Sequence, residues 1–310
     1  MHTHRPHQAG FTLVEAIVVI AIIGIIGAFV AMFIRVPVQN YADSVARAEV
    51  SDEADLALRR MARELRLALP NSIRINADGS AIEFLLTKTG GRYLSLDDNL
   101  ATTYPVLDFV GDAANPLQLT VVGALSQPVA ARDYFVVYNL GNGMAPADAW
   151  SYDGTSYAAG TAERNIAGIT AVTVTADPQA PASTVTTLTL EGNPFALQLV
   201  KMPSPGQRFQ IVSGPVMFAC AKASDNALVL TRYAGYSIKS TQAVPPANPT
   251  SSAPLTRRVN SCAGLFTYDA VAQRSALVTI ALELAARTVA GTAATSSIRL
   301  VDQVHVDNTP

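Results

Sequence analysis

The stretch Gly10-Phe11-Thr12-Leu13-Val14-Glu15 opens the most distinctive segment of the chain, because an uncharged run from Ala16 to Ile34 follows it. At about 1.5 Å rise per residue, a helix over residues 11–34 covers the roughly 30 Å hydrocarbon core of a bilayer. Lipid favours that helix despite its many Ile and Val residues, since every backbone polar group must be hydrogen-bonded within the segment. The sequence therefore predicts a transmembrane helix near the N-terminus.

The residues that flank this run predict its orientation. The leader, residues 1–10, carries Arg5 and no acidic residue, and Arg35 follows the run on its other side. The positive-inside rule places the leader in the cytoplasm and sends the C-terminal part across the membrane. The long side chain of Arg35 can reach back to the interface. We therefore expect a single membrane pass with a cytoplasmic N-terminus.

Gly10 and Glu15 are the candidate functional residues of this segment. An ordinary secretory signal is cut at a small residue after its apolar core, whereas here the small residue, Gly10, precedes the core. A cut between Gly10 and Phe11 would leave the new α-amino group four residues from Glu15. A carboxylate in a membrane helix needs a partner, so one interpretation pairs Glu15 with the Phe11 amine of a neighbouring helix. The other is an interfacial Glu that the dipole of the helix start favours.

The apolar pattern predicts that the helix continues beyond the membrane to about Leu69. Pro37 lies inside it and should bend it, because proline removes one backbone hydrogen bond, and Pro70-Asn71 should end it. One face of residues 35–69 is apolar at spacings of three and four. This face comprises Ala46, Val50, Ala54, Ala57, Met61, Leu65 and Ala68. The second half of the helix is therefore expected to be amphipathic.

Residues 70–310 contain short β-type runs and no second long helix. The first two runs flank an Asp78-Gly79 pair that is typical of a hairpin turn. The proline-rich stretch Thr241–Thr256 is predicted to be a loop, since proline does not fit a central strand. The predicted strands are 72–76, 81–86, 117–122, 133–140, 169–175, 185–190, 208–212, 216–221, 227–233, 276–284 and 297–306. These patterns predict an α+β fold, in which the long helix packs on an antiparallel β-rich C-terminal domain.

The composition and the reactive side chains argue against catalysis and nucleic-acid binding. The net charge of −2 offers no broad basic surface for nucleic acid. Three of the four histidines lie in the leader, and His305 is expected to be an ordinary strand residue. The chain has no zinc-binding, serine-hydrolase or phosphate-loop motif. We therefore expect no enzymatic activity, no metal and no cofactor.

Three further features leave alternatives open. Asp97-Asp98-Asn99 offers oxygen ligands for calcium, but a solvated turn fits its spacing better. Trp150, Tyr152 and Tyr157 would form either a binding face or a loop cluster packed on the sheet. Cys220 and Cys262 lie in the part expected outside the cytoplasm. An oxidising compartment there favours a disulfide, and two separate buried thiols are the alternative.

The N-terminal stretch resembles the processing site of type IV prepilins, a class that includes pilins, minor pilins and the pseudopilins of type II secretion. Gly10-Phe11-Thr12-Leu13-Val14-Glu15 and the apolar run after it carry this resemblance. It implies cleavage after Gly10 by a prepilin peptidase and N-methylation of Phe11. It also implies that Glu15 neutralises the Phe11 amine of an adjacent subunit. The implied location is the inner membrane, with residues 70–310 in the periplasm, and then the pilus.

Three shorter stretches are similar to the MshO-type minor pilins of the mannose-sensitive haemagglutinin pilus. They are Ala68-Leu69-Pro70-Asn71-Ser72-Ile73-Arg74, Arg208-Phe209-Gln210-Ile211-Val212-Ser213-Gly214-Pro215 and Val304-His305-Val306-Asp307-Asn308. This resemblance implies a minor pilin that starts or caps a fibre together with other minor and major pilins. A J-type pseudopilin, which is usually shorter, and a tip adhesin that binds through its long loops are the alternatives. One departure is that Gly24 and Gly27 stand where many major pilins have a second proline.

Overall fold

The structure is a computed structural model that describes residues 10–98, 100–111, 117–152, 163–272, 275–286 and 296–310. Within these residues one long helix, α1 (Leu13–Leu65), precedes a domain of antiparallel strands, which confirms the expected α+β fold. The strands are β1 (Arg74–Ile75), β2 (Ala81–Tyr93), β3 (Gln118–Val122), β4 (Tyr134–Val136), β5 (Ile166–Ala176), β6 (Thr184–Leu190), β7 (Arg208–Lys222), β8 (Leu228–Ala234), β9 (Ser251–Thr256), β10 (Phe266–Ala272), β11 (Ser275–Ala286) and β12 (Ser296–Asp307). Short 3-10 helices lie at Leu96–Asp98, Ala149–Ser151 and Pro194–Leu197.

Helix α1 ends one turn earlier than predicted, because the chain that follows it joins the sheet. The backbone N–H of Leu69 donates to the carbonyl oxygen of Leu85 over 2.8 Å. The N–H of Thr87 donates to the carbonyl oxygen of Leu67, also over 2.8 Å. These two bonds replace a last helical turn and fix the end of the helix against β2.

The second half of α1 buries one apolar face. Its first fully buried side chain is Val50, and the ion pairs of Arg258 with Glu49 (2.9 Å) and Glu53 (3.5 Å) mark the edge of the domain there. The buried side chains recur at helical spacing, as predicted, and comprise Val50, Ala54, Ala57, Leu58, Met61, Ala62 and Leu65. Ala46, predicted for the same face, is half-buried because the domain does not extend that far along the helix.

Six strands of the larger sheet close into a barrel. The pairing runs from β2 through β3, β6, β5, β4 and β7, and β7 pairs again with β2. All six strands contribute side chains to one apolar cluster, in which Phe135 stacks on Phe209 with ring centroids 4.9 Å apart. Closure pairs both edges of each participating strand, so the barrel has no open edge.

The remaining strands share a second core with α1. Strands β1, β8 and β9 extend the larger sheet beyond the barrel, and β10, β11 and β12 form a separate three-stranded sheet. Side chains of α1 meet those of β2, β7 and β8 and those of β11 and β12 in one cluster. An ion pair of 2.7 Å between Glu64 of α1 and Arg232 of β8 lies beside it. The helix is therefore fixed by both sheets at once.

The hairpin turn predicted at Asp78-Gly79 is confirmed, and it also positions β10. Gly79 has a φ of 69°, and a Cβ atom there would lie 2.8 Å from the carbonyl oxygen of Phe266. The carbonyls of Asp78 and Gly79 accept hydrogen bonds from the backbone N–H groups of Gly264 and Phe266, each over 2.9 Å. Glycine is required here both by the left-handed backbone and by this close approach.

Three strands differ from the sequence prediction in more than their end points, whereas β2 is longer and β4 is shorter than predicted. Strand β9 lies in the stretch that was predicted to be a loop, and it contains Pro254 at the edge of the larger sheet, where a missing N–H is tolerated. Strand β10 has no predicted counterpart. Strand β7 unites two predicted runs, because Gly214, with a φ of 119°, lies where the register with β2 shifts. A β-bulge of this kind bends a strand without ending it.

Cys220 and Cys262 are joined by a disulfide with an S–S distance of 2.01 Å. Cys220 lies in β7, and Cys262 lies in the segment between β9 and β10. The bond therefore links the larger sheet to the chain that enters the three-stranded sheet. It also encloses the proline-rich stretch within a loop of 42 residues.

Non-reducing peptide mapping of protein purified from an oxidising compartment should recover Cys220 and Cys262 in one linked peptide. Their replacement by Ala, as a pair, should lower the free energy of unfolding by about 2–5 kcal/mol, because the unfolded chain then has more freedom. Recovery of two free thiols would contradict the linkage.

Leu58 and Leu56 provide a matched test of the helix–sheet core, since Leu58 is 5% exposed and Leu56 is 69% exposed. We expect Leu58→Ala to reduce the free energy of unfolding by about 2–5 kcal/mol through lost burial and the cavity left behind. Leu56→Ala should change it by no more than about 0.5 kcal/mol. Denaturant titration followed by the fluorescence of the buried Trp150 measures both. Equal effects would show that the helix does not pack by this face.

Candidate functional site

Thr12 caps the start of α1 and brings its side chain to Glu15. The backbone of Thr12 is extended, and its hydroxyl oxygen accepts a hydrogen bond from the N–H of Glu15 over 3.3 Å. The same hydroxyl lies 3.5 Å from a carboxylate oxygen of Glu15. Thr12 and Glu15 thus occupy the first and fourth positions of a capping arrangement. The capping role of Thr12 was not predicted from the sequence, although Thr-x-x-Glu before an apolar run is a recognisable signal.

The carboxylate of Glu15 lies in the first turn of α1, at the positive end of the helix dipole. This position agrees with the interpretation of Glu15 as a helix-start residue. Glu15 is exposed, and so is Phe11, at 75%. The structure brings Gly10, Phe11 and Glu15 together at one end of the molecule, well away from the β domain.

The helix between Leu13 and Ile34 projects from the domain with every side chain exposed. At about 1.5 Å per residue this part is about 33 Å long. Among the described residues α1 is the one helix long and apolar enough to cross a membrane. Exposed apolar side chains over such a length are unfavourable in water. The helix is therefore suited to a membrane or to an environment of similar helices.

Comparison with known families finds its match in this segment. Residues 5–31 match the family model described as the prokaryotic N-terminal methylation motif. The chain carries a type IV pilin-like N-terminus. The matched range includes Gly10, Phe11 and Glu15 and stops short of the β domain. No curated protein and no solved structure matches the chain. The motif belongs to structural proteins of the pilin type, and the apolar helix behind it agrees with membrane anchoring.

The other polar residues singled out by the sequence do not assemble into a metal-binding or catalytic group within the described residues. His305 is exposed on β12 opposite Leu277. Asp98 accepts hydrogen bonds from the guanidinium of Arg92 (2.8 Å) and the backbone N–H of Ser95 (2.8 Å). The second of these bonds is the main reason that the pKa of Asp98 is lowered. The segment Leu96–Asp98 is a 3-10 turn, and Asn99 lies outside the described residues.

The aromatic residues predicted to form either a binding face or a packed cluster follow the second alternative. Trp150 and Tyr152 are buried, and the indole N–H of Trp150 donates to the carbonyl oxygen of Ser72 over 3.0 Å. Tyr152 packs edge-to-face on Tyr134 with ring centroids 4.9 Å apart. Tyr157 lies outside the described residues. Trp150 and Tyr152 therefore support the surface from within and are not themselves available to a large ligand.

Proposed function

We propose that the protein is a minor pilin, a non-enzymatic subunit that is assembled into a fibre through its N-terminal helix. The observation that carries this proposal is an exposed apolar helix that begins with a methylation motif and is fixed at its other end in the core of a folded domain. A subunit of this shape can bury its helix among equivalent helices while its domain remains on the outside.

The route proposed for the chain begins in the inner membrane. Residues 1–10 are the leader, residues 11–34 cross the membrane, and the β-rich domain of residues 70–310 lies in the periplasm. Prepilin peptidase cuts after Gly10, and Phe11 is then N-methylated. The processed subunit leaves the membrane by joining minor and major pilins, with no nucleic acid involved. The motif, the one candidate span among the described residues and the resemblance of the N-terminal stretch to prepilins support this route.

Glu15 is proposed to set the register between neighbouring helices. Inside the subunit its carboxylate has a weak contact with the Thr12 hydroxyl, at 3.5 Å. The Phe11 amine that cleavage creates is a charged donor, and hydrogen bonds between charged groups are roughly twice as strong as those between neutral groups. In an apolar surrounding an unpaired carboxylate is unfavourable, so pairing with the amine of a neighbour would favour association.

Within the pilin class we favour a fibre-starting or fibre-capping subunit of the MshO type. Three short stretches spread over the chain resemble that group, and the length of 310 residues exceeds what is usual for the J-type pseudopilin. The J-type pseudopilin is the alternative with the same helix and the same assembly mechanism. Adhesion is a second candidate activity. An open cleft in the β domain favours it independently of the N-terminal motif.

Intact-mass and N-terminal analysis of assembled protein should show Phe11 as the first residue, carrying one methyl group. Gly10→Trp should block this processing and leave residues 1–10 in place, because a bulky side chain cannot replace a small residue just before the cut. Gly24→Ala, inside the membrane run, is the control and should be processed normally. Retention of Met1 in assembled material, or a cut beyond Ile34, would rule out the proposed route.

Glu15→Val should leave membrane insertion intact or improved, since an acidic residue at mid-bilayer costs about 2.5–3.5 kcal/mol and less near an end. Processing should also persist. Co-purification with other minor pilins and the number of pili should both fall, because the partner of the Phe11 amine is gone.

Thr12→Val tests whether Glu15 pairs with a neighbouring subunit or only caps its own helix. This variant removes the capping hydroxyl and keeps the carboxylate of Glu15. If Glu15 acts between subunits, Thr12→Val should assemble far better than Glu15→Val. Equal assembly of Glu15→Val and the unmodified protein would reject the inter-subunit pair. Equal loss in both variants would assign Glu15 to the cap.

A further inference from the structure

The β domain has an open cleft that the proposed assembly role does not use. Its volume is about 720 Å³, and it lies between the loop that follows β8 and residues beside β4 and β7. The lining side chains that matter here are Arg132, Tyr134, Ser213, Tyr236, Lys239 and Asn248. They combine two half-buried aromatic rings, two cations and small polar groups, and they come from three separate segments of the chain.

The inner wall of the cleft is a fixed network around Glu83, which is 2% exposed. One carboxylate oxygen accepts from Nε of Arg74 over 2.7 Å, and the other accepts from the hydroxyl of Tyr236 over 2.8 Å. The guanidinium of Arg74 also donates to the carbonyl oxygens of Lys239 (2.9 Å) and Ser240 (2.7 Å). These bonds hold the loop after β8 against β1 and β2, so the cleft is formed before any ligand enters.

Buried aromatic side chains support this wall from behind. The guanidinium carbon of Arg74 lies 3.6 Å from the ring centroid of Trp150, a cation–π contact. Tyr152 fixes the ring of Tyr134 by edge-to-face packing. Burial, and then the charge of Glu83, raise the pKa of Tyr236, so its hydroxyl stays a donor to the carboxylate. The rings of Tyr134 and Tyr236 are therefore held in place while part of each remains accessible at the cleft.

The charges at the cleft favour an anionic ligand. The carboxylate of Glu83 is matched by Arg74, and Asp133, next to Arg132 in sequence, pairs with Lys88 over 2.9 Å. Arg132 is exposed, and within the described part of the chain its guanidinium has no ion pair or side-chain hydrogen bond. Its backbone has a φ of 84°, an uncommon conformation for a residue other than glycine. An exposed arginine without an intramolecular partner can bind a carboxylate through two parallel hydrogen bonds.

We propose that this cleft binds a carboxylated saccharide. Arg132 takes the carboxylate, the rings of Tyr134 and Tyr236 lie against the apolar faces of the sugar, and Ser213 and Asn248 exchange hydrogen bonds with its hydroxyl groups. Small-molecule sites typically have a mostly apolar lining with a few placed polar groups. This cleft has a higher share of hydroxyl and amide groups, which suits a polyhydroxylated ligand. Nucleic acid is a poor fit, because the net charge of the chain is −2 and Arg132 supplies the one unpaired guanidinium among the residues that line the cleft. This binding activity is additional to the role in fibre assembly.

The test uses the full chain in micelles of a detergent that has no sugar headgroup. Calorimetric titration compares digalacturonate, the neutral disaccharide digalactose and the dipeptide Glu-Glu. We expect digalacturonate to bind at least about tenfold more tightly than either of the other two, an affinity ratio that corresponds to about 1.4 kcal/mol. A trisaccharide that ends in a sialic acid is titrated as well. Its affinity, compared with that of digalacturonate, shows whether the cleft prefers a host-type glycan or a plant- or bacterial-type uronate.

Arg132→Asn removes the guanidinium and suits the left-handed backbone, since Asn tolerates positive φ. It should weaken digalacturonate binding about tenfold and leave digalactose binding unchanged. Tyr134→Ala should weaken both saccharides. Arg299→Asn, on the exposed face of β12, is the matched control and should bind like the unmodified protein. Thermal unfolding of each variant shows whether the domain is intact.

The proposal would be overturned if no carboxylated sugar bound, or if digalactose or Glu-Glu bound as tightly as digalacturonate. It would also be overturned if Arg132→Asn did not change the affinity for digalacturonate. The test of saccharide binding is independent of the test of fibre assembly. Arg132→Asn should be processed and incorporated into fibres normally, whereas Glu15→Val should keep full saccharide binding.

Discussion

Burial of one face of α1 is the contact on which the rest of the molecule depends. The face from Val50 to Leu65 is shared between the larger sheet and the three-stranded sheet, so the helix joins the apolar sides of both into one core. The same contact stops at Glu49, where Arg258 closes the edge of the domain. Among the described residues N-terminal to that point, no side chain is buried. The position of this boundary therefore determines both the stability of the domain and the length of helix that is available for association.

The parts of the fold that were predictable from the sequence are those set by local pattern. The apolar run, the helical spacing of the buried face and the Asp78-Gly79 turn each depend on a few neighbouring residues, and each is present in the structure. Barrel closure was not predictable, because it depends on which distant strands pair. Strand β9 was missed for the same reason, since Pro254 is acceptable only at a sheet edge, and edge position is a property of the whole sheet.

The candidate sites show the same division. Gly10, Phe11 and Glu15 lie close together in one motif, so they could be proposed from the sequence alone, and their roles stay predictions. Thr12 was within that motif, and its Thr-x-x-Glu spacing was a usable signal. The cleft could not be predicted from the sequence, because Glu83, Arg132 and Tyr236 are brought together by the pairing of β7 with β2, β4 and β8. Sequence did draw attention to Trp150 and Tyr152, but could not show that they lie behind the binding surface and support it.

The edges of the two sheets affect whether neighbouring subunits can pair strand to strand. In a packed array of identical subunits, any flat open strand would invite neighbours to pair edge to edge and fuse into aggregates. The barrel strands have no such edge, and β9 presents a proline at the margin of the larger sheet. One of the two margins of the smaller sheet is β12, whose exposed side chains include Arg299, His305 and Asp307. Lateral growth through the sheets is thereby discouraged. In the proposed fibre, subunits could therefore lie close together along their helices while their domains stay separate.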